Sequence, residues 1–298
     1  MCMNEFLKEH TCYDVLPISF RLVVFDTQLR VKKALSMLIQ NGIVSAPLWS
    51  NETLEYAGML TVSDFINLIQ YYYYSHSSSY HEIETIQISE LKDKHHEIWV
   101  KQQKGAIHPM ATLYDAAIVM SETRAHRIPL VIENREIISV ITQYRLLKFV
   151  ANNFKNTELL RIPLSELKIG TYGTQVATAT METPVIEIIT MFARENISAV
   201  PVIDEDGTVL NIYDTVDVMS LVRSEKYSNL DLPVREAIKS RPKDYPGVST
   251  CTMNDTLNSI FKAIRKKRVY RLVVIEPETH QLLGLLSLSD ILGYIVTI

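Results

Sequence analysis

The chain is poor in the residues that build common catalytic loops. It has only nine glycines among 298 residues, and they form neither a GxGxxG motif nor a Walker phosphate-binding loop. GxSxG and HExxH motifs are also missing, which removes the usual nucleophile elbow and the usual zinc helix. We therefore expect a protein that is not an enzyme and that has no metal site.

Cysteine is scarce as well. Cys2, Cys12 and Cys251 are an odd number of cysteines without CxxC spacing, which favours reduced thiols in an intracellular compartment. Residues 1–11 have no apolar signal core, and no run approaches the ~20 apolar residues that cross a bilayer. These absences predict a cytoplasmic and nuclear protein that does not bind a membrane.

An excess of positive charge is missing too. The formal net charge of −4 argues against a general nucleic-acid-binding surface, so we expect no nucleic-acid partner. By contrast, 47% hydrophobic and 21% charged residues are typical of a folded globular chain with a sizeable core.

The most informative feature that is present is a pattern repeated four times. Each copy has a helix and a short apolar run whose first residue we name the opening position. About fourteen residues after the third residue of that run comes a cap position, which is followed three residues later by a charge position. Roughly 70 to 80 residues separate successive copies, so two copies fill a domain of ~150 residues. The apolar runs and the cap-to-charge segments are Ser45–Leu48 with Thr61–Asp64, Arg127–Leu130 with Thr142–Arg145, Ala199–Val202 with Asp214–Asp217, and Arg271–Val274 with Ser287–Asp290.

Local signals in the third copy predict its secondary structure. Thr183 is expected to cap a helix whose first residue is Pro184 and whose end lies near Asn196. Ala199–Ile203 and Val209–Tyr213 are apolar and β-branched, which predicts a hairpin. A second helix starts at the cap-to-charge segment, so the repeat reads strand, helix, strand, strand, helix. The same order fits the fourth copy, in which Leu257, Ile260, Phe261 and Ile264 recur at the spacing of one helical face.

These repeats resemble the CBS (cystathionine β-synthase) domain, and four of them in a row resemble the γ subunits of AMP-activated protein kinase. Segments that carry the resemblance include Arg21–Thr27, Ala46–Trp49, Gly58–Thr61, Ile169–Tyr172 and Leu286–Leu292. The resemblance implies an α/β (α+β) fold in which four CBS repeats pair into two Bateman modules and form a flattened disc, with adenine nucleotides in clefts that face its centre. The implied repeats span 11–76, 87–155, 162–224 and 232–298, and the implied modules span 1–155 and 156–298.

The charge positions suit the ribose of such a nucleotide. An ionised carboxylate can accept both vicinal hydroxyls, and Asp64, Asp217 and Asp290 are placed for this role. The alternative interpretation of each is ordinary helix capping. Arg145 holds the charge position of the second repeat, and it has donors only, so that cleft should not bind a nucleotide in the same way.

The cap positions would meet phosphate. Thr61 and Ser287 lie where a helix begins, and the free N–H groups and the helix dipole there favour phosphate. In the third repeat the cap position is Asp214, whose charge would repel phosphate while Asp217 could still hold ribose.

Arginines at two opening positions would supply counter-charge. Arg127 and Arg271 are expected to face each other, with His126 as a further donor and Arg268 one turn away. The competing interpretation, cations on the surface of a helix C-terminus, suits the run Arg265–Arg268. Arg127 and Arg271 differ because they open buried strands, where an unpaired charge is costly.

The resemblance also shows departures. Val44 and Tyr144 replace basic residues of animal members and remove phosphate partners from the Asp64 cleft, and Tyr270 replaces a histidine and alters the Asp217 cleft. The favoured site is therefore built on Ser287 and Asp290, and the residues expected to close it are Thr61, His126, Arg127 and Ser198. The other residues implied for nucleotide binding are Thr61, Asp64, His126, Arg127, Thr171, Ser198, Asp217, Arg268, Tyr270 and Arg271.

The function implied by the resemblance is that of a regulatory subunit without catalytic activity. It would bind AMP, ADP and ATP competitively in a heterotrimer with a catalytic α and a scaffolding β kinase subunit. Two alternatives stay open. One is a free-standing CBS nucleotide sensor that regulates a transporter or a metabolic enzyme, and the other is a CBS-containing nucleotide-metabolising enzyme with a further domain.

Overall fold

The structure is a computed structural model that describes residues 2–74, 85–94, 105–133, 136–156, 158–223, 230–243 and 245–298. The ends predicted for the first and third repeats, at residues 76 and 224, lie outside the described residues. No helix in the described ranges has both the length and the apolar character that a membrane span requires.

The first repeat follows an N-terminal helix and shows the predicted order of elements. Its helix α2 ends at Gly42, whose φ of 62° is in the left-handed region that glycine tolerates at a helix C-terminus. The elements up to its end are α1 (Met3–Glu9), β1 (Phe25–Asp26), α2 (Val31–Asn41), β2 (Ser45–Ser50), β3 (Glu55–Thr61) and α3 (Val62–Tyr74).

The second repeat has the same order, but its first strand is reduced to one parallel bridge between Ile107 and Leu130. Helix α5 begins at a complete capping box, in which Thr112 and Asp115 satisfy each other's backbone N–H. The elements are α4 (Ile88–Lys94), α5 (Leu113–Thr123), β4 (Arg127–Val131), β5 (Ile137–Thr142) and α6 (Gln143–Asn153).

The third repeat confirms the predicted hairpin and the helix end at Asn196. The predicted helix start is wrong by one position, because Pro184 is the N-cap residue and Val185 is the first helical one. Its first strand is again a single bridge, Ala179 to Val202. The elements are α7 (Leu164–Leu167), β6 (Thr171–Tyr172), α8 (Val185–Glu195), β7 (Ala199–Ile203), β8 (Val209–Asp214) and α9 (Thr215–Arg223).

The fourth repeat buries the helical face that its apolar spacing predicts. Leu257, Ile260, Phe261 and Ile264 are all buried in α11. The elements are α10 (Val234–Ala237), β9 (Thr250–Cys251), α11 (Leu257–Lys266), β10 (Arg271–Ile275), β11 (Leu282–Ser287) and α12 (Leu288–Ile295).

The four hairpins share one register, which sets the geometry of every candidate site. In each hairpin the opening position lies directly opposite the cap position, and the register shifts after the fourth residue of the first strand. The opposed pairs are Ser45 with Thr61, Arg127 with Thr142, Ala199 with Asp214, and Arg271 with Ser287.

The repeats are grouped into two compact units. Unit 1 combines repeats 2 and 4 and consists of Met1–Leu22, Val100–Gln175 and Ser249–Ile298; unit 2 combines repeats 1 and 3 and consists of Val23–Trp99 and Val176–Val248. In unit 1, α6 packs on α11 and α12, and in unit 2, α3 packs on α8 and α9. This grouping cuts across the predicted modules 1–155 and 156–298, so their tandem pairing and the disc shape stay predictions.

An extra strand extends the sheet of the fourth repeat. Strand β6 pairs antiparallel with the outer edge of β11, which places Tyr172 opposite Gly284. The hydroxyl of Tyr172 donates to the carbonyl oxygen of Ile169 at 2.7 Å, so the ring is held across the strand. Gly284 is therefore needed for the close approach of β6.

We expect Gly284→Ala to destabilise unit 1. A Cβ at this position would lie 2.5 Å from the carbonyl oxygen of Thr171 and would overlap the ring of Tyr172. Overpacking of this kind costs about 1 to 3 kcal/mol in the free energy of unfolding, which urea denaturation measures.

Gly293→Ala is the matched control. A Cβ there meets no atom within 4 Å, and alanine in a helix interior gains about 0.5 to 1 kcal/mol over glycine. Equal urea midpoints for the two variants would contradict the packing account of Gly284.

Candidate functional site

In repeats 1 and 4 the carboxylate at the charge position accepts hydrogen bonds from the residue at the cap position. The backbone N–H of Ser287 donates to Oδ2 of Asp290 at 2.7 Å, and its hydroxyl donates to the same oxygen at 2.6 Å. Thr61 makes the same two bonds to Oδ2 of Asp64, at 2.6 and 2.8 Å. The capping interpretation of these two carboxylates is thus confirmed.

Capping uses only one oxygen of each carboxylate. Within the described parts of the chain, Oδ1 of Asp290 and Oδ1 of Asp64 accept no hydrogen bond. Asp290 is half-buried, whereas Asp64 is only 7% exposed. A carboxylate in this arrangement can cap its helix through Oδ2 and still accept a ligand hydroxyl through Oδ1.

The same two bonds to a carboxylate also occur where no candidate cleft opens. Thr112 makes them to Asp115 at the start of α5, and Thr252 makes them to Asp255 in the turn before α11. A Ser/Thr-x-x-Asp segment is therefore insufficient to identify a ribose site, and the neighbouring charges must decide.

Asp217 does not have a spare oxygen. Nε of Arg241 donates to Oδ1 of Asp217 at 2.6 Å, and Nη2 donates to Oδ2 at 2.7 Å. The two side chains are 7% and 4% exposed, so this is a buried bidentate ion pair. The prediction that Asp217 holds a ribose is not supported by this geometry, and we leave Asp217 out of the proposed site.

Burial and pairing act in opposite directions on this ion pair. Burial raises the pKa of Asp217 to about 6, although the hydrogen bonds from Arg241 oppose the rise. Burial also opposes the charge of Arg241, but the hydrogen bonds and the charge of Asp217 raise the pKa of Arg241 above its ordinary value. Both groups are ionised at neutral pH.

Basic side chains from repeats 2 and 4 gather in unit 1. Arg127 and Arg271 open β4 and β10 as predicted, and both are half-buried. Burial lowers the pKa of Arg127, the hydroxyl of Tyr270 opposes this, and the charges of Arg268 and Arg145 lower the pKa further. We name His126, Arg127, Arg145, Arg268 and Arg271 the basic cluster.

His126 belongs to this cluster although it keeps exposed surface. Desolvation and then the charges of Arg271 and Arg127 hold the pKa of His126 below its ordinary value. The imidazole is therefore neutral at pH 7, and it can offer one N–H donor without adding to the repulsion.

Two tyrosines line the basic cluster. The rings of Tyr144 and Tyr270 lie 5.7 Å apart, and the guanidinium of Arg268 lies 5.8 Å from the centre of the first and 5.4 Å from the centre of the second. Such cation–π contacts hold Arg268 without neutralising it. Tyr144 attracted notice in the sequence only as a departure, and its place here depends on the packing of repeats 2 and 4.

Arg145 behaves as its donor-only chemistry predicts. Its Nη1 donates to the carbonyl oxygen of Val140 at 3.1 Å, and burial followed by the charge of Arg268 lowers its pKa. It adds positive charge in a position where the other repeats have a carboxylate.

The predicted site residues divide between the two units. Unit 1 contains His126, Arg127, Thr171, Arg268, Tyr270, Arg271, Ser287 and Asp290. Unit 2 contains Thr61, Asp64, Ser198 and Asp217. The expected role of Thr61 and Ser198 in closing the Asp290 cleft stays a prediction. In the described residues no three His, Cys, Asp or Glu side chains converge into a possible metal site.

Two residues near the start of α12 were not predicted as site residues from the sequence. Tyr172, in β6, has its pKa raised by burial and then by the charges of Cys251 and Asp290. Gln143 is buried at the start of α6 and accepts a hydrogen bond from Ser289 at 3.1 Å, which joins the openings of α6 and α12. The only signals in the sequence were that Tyr172 belongs to the segment Ile169–Tyr172 and that Gln143 is the first helical residue after Thr142.

Comparisons with known proteins agree with the repeat architecture. The CBS domain model matches residues 106–152, 169–224 and 243–297. The first repeat lies outside these matches, but its hairpin has the register of the other three.

The chain is 45% identical to the 5′-AMP-activated protein kinase subunit gamma of Saccharomyces cerevisiae, over 99% of this chain and 92% of that protein. It is 44% identical to the same subunit of Kluyveromyces lactis, over 99% and 91%. The crystal structure of protein MJ1225 from Methanocaldococcus jannaschii superposes with a TM-score of 0.77 at 15% identity and covers 95% of this chain and 99% of that one, which supports the fold.

The stability of the chain should depend on pH through Asp64. Burial raises the pKa of this carboxyl from 3.8 to about 6, so the folded chain holds the proton more tightly than the unfolded chain. The contribution of Asp64 to the free energy of unfolding should fall by about 2 to 3 kcal/mol as pH rises from about 4 to about 6.

The measurement is the difference in urea-unfolding free energy between the parent and Asp64→Asn across this pH range. The near-isosteric amide of the variant cannot ionise, whereas all other carboxylates are present in both proteins. Their contributions therefore cancel in the difference, and only the titration of Asp64 remains. A difference that stays constant with pH would refute the assignment.

Proposed function

This chain belongs to the γ subunits of 5′-AMP-activated protein kinase, and we propose that unit 1 binds AMP, ADP and ATP competitively and that the bound nucleotide controls the kinase. The observation that carries the proposal is the basic cluster, together with Asp290, whose carboxylate lies in the first turn of α12. A regulatory γ subunit needs no catalytic residues of its own, which agrees with the absence of catalytic motifs from the sequence.

The hairpin register brings the two halves of the site together. Arg271 lies opposite Ser287, and Ser287 caps α12 three residues before Asp290. A nucleotide whose ribose hydroxyl donates to Oδ1 of Asp290 would therefore have its phosphates near a guanidinium and near the positive end of the α12 helix dipole.

The charge balance of the cluster favours an anion. The neighbours that act on the pKa of Arg127 include two further arginines, and each lowers it. Placing the exposed Arg268 and the half-buried Arg145 near the half-buried Arg127 is unfavourable unless an anion compensates. The planar fork of arginine pairs well with phosphate oxygens, so a phosphate chain is the best-matched ligand.

Competition follows from the use of one cluster for nucleotides of different length. AMP offers one phosphate, whereas ADP and ATP extend further and would engage more of the arginines. A nucleotide changes kinase activity only if it binds one state of the complex more tightly than another. We propose a catalytic α and a scaffolding β kinase subunit as the partners that read this difference.

We expect Asp290→Ala to weaken AMP binding. Loss of a hydrogen bond to a charged acceptor costs about 1.5 to 3 kcal/mol, or roughly tenfold to a hundredfold in Kd. Asp115→Ala is the matched control, because it removes an exposed capping carboxylate of the same unit at a helix that opens no cleft. Isothermal titration calorimetry of the heterotrimer decides, and equal Kd values for both variants would contradict the role of Asp290.

Arg127→Gln should weaken ATP more than AMP. Fewer guanidinium groups remain for the longer phosphate chain. We therefore expect the loss of affinity for ATP to exceed the loss of affinity for AMP by at least threefold. Arg161→Gln, which removes an exposed arginine of the same unit, is the control. A competition titration with both nucleotides measures the ratio, and an unchanged ratio would show that Arg127 does not meet the phosphates.

A further inference from the structure

The third repeat has the geometry of a ligand slot, but another part of the chain already occupies that slot. Asp217 lies at the charge position, and the backbone N–H of Asp214 donates to its Oδ2 at 2.8 Å, as the cap residues do for Asp64 and Asp290. The difference is Oδ1, which accepts Nε of Arg241 at 2.6 Å. Both oxygens of Asp217 are thus engaged within the chain.

Arg241 is held in this slot by further partners. Its Nη1 donates to Oδ1 of Asn211 at 2.7 Å, and Nη2 donates to the carbonyl oxygen of Ile212 as well as to Asp217. The ring of Tyr245 covers the guanidinium at 4.1 Å from carbon to ring centre. The arginine is therefore bound on its edge by strand β8 and the start of α9, and on its face by an aromatic ring.

The contacts of Arg241 resemble those of a bound ribose. A vicinal diol presents two O–H donors to a carboxylate, and Nε and Nη2 present two N–H donors in the same forked arrangement. We propose that Arg241 is a built-in plug that occupies the ribose position of the third repeat and keeps this slot closed to nucleotides. This inference rests on the proposed function, because it takes the charge position as a ribose acceptor.

The third-repeat slot that Arg241 occupies has a negative charge at its cap position, which favours an uncharged ligand. Asp214 replaces the hydroxyl of the other cap positions, and its carboxylate accepts the backbone N–H groups of Val216 at 2.9 Å and Asp217 at 3.3 Å. A phosphate at this helix start would meet a negative charge instead of free N–H groups. Once the plug is removed, the slot should therefore accept an uncharged ribonucleoside such as adenosine better than AMP.

The test compares adenosine and AMP binding by calorimetry in the Asp290→Ala background, where binding to the proposed nucleotide site is weakened. Adding Arg241→Ala should create one saturable adenosine site per chain, with AMP at least tenfold weaker. Adding Asp217→Asn as well should abolish it. Arg235→Ala is the matched control, since it breaks an exposed ion pair with Glu182 and leaves the plug in place.

The outcomes separate this inference from the proposed function. A folded Asp290→Ala/Arg241→Ala chain that binds no adenosine overturns the plug, as does an opened slot that prefers AMP. If AMP binding to the parent survives Asp290→Ala unchanged, the proposed site fails, and the gain of adenosine binding on removal of Arg241 is still measured independently.

Removing Arg241 leaves a buried charge, and the variant can fail to fold, so a second measurement uses the parent heterotrimer. Hydrogen exchange with and without saturating AMP should show no change in residues 209–219, because the plug excludes the ligand there. Altered exchange in these residues together with altered exchange in residues 238–243 would show that AMP displaces Arg241, and would overturn the proposal.

Discussion

The antiparallel register of the hairpins is the constraint on which the rest of this chain depends. It places the opening residue of one strand directly opposite the residue that caps the following helix, in all four repeats. The side chains at the opening, cap and charge positions therefore meet at one end of each hairpin. Because a shift of one residue would turn the apolar faces of the strands to solvent, the hydrophobic core of each unit protects this arrangement.

The same frame has acquired different chemistry in different repeats. Asp290 and Asp64 cap a helix with one oxygen and leave the other available, Arg145 replaces the acceptor with a donor, and Asp217 is closed by Arg241. A repeated fold therefore does not imply repeated binding. Charge and occupancy at a few positions decide which slots can take a ligand.

Much of the fold was predictable because it depends on local patterns. Apolar spacing predicted the buried face of α11, and β-branched runs bounded by turn residues predicted the hairpin of repeat 3. The start of α8 was wrong by one residue, since Pro184 fits the extended N-cap conformation as well as the first helical turn. Arg127, Arg271, Ser287 and Asp290 were found because they occupy equivalent positions of the repeats, which the neighbours Tyr144, Tyr172 and Gln143 do not.

The sequence by itself determined the repeats, the order of their elements and the residue types at each slot, since these follow from periodicity and from chemistry within a few residues. Only the tertiary structure decided which repeats share a compact unit, which arginines form the basic cluster, and that Arg241 reaches Asp217 across 24 residues of chain. The reason is physical: pairing between distant side chains depends on how helices pack and where loops return. Neither leaves a local signal in the chain.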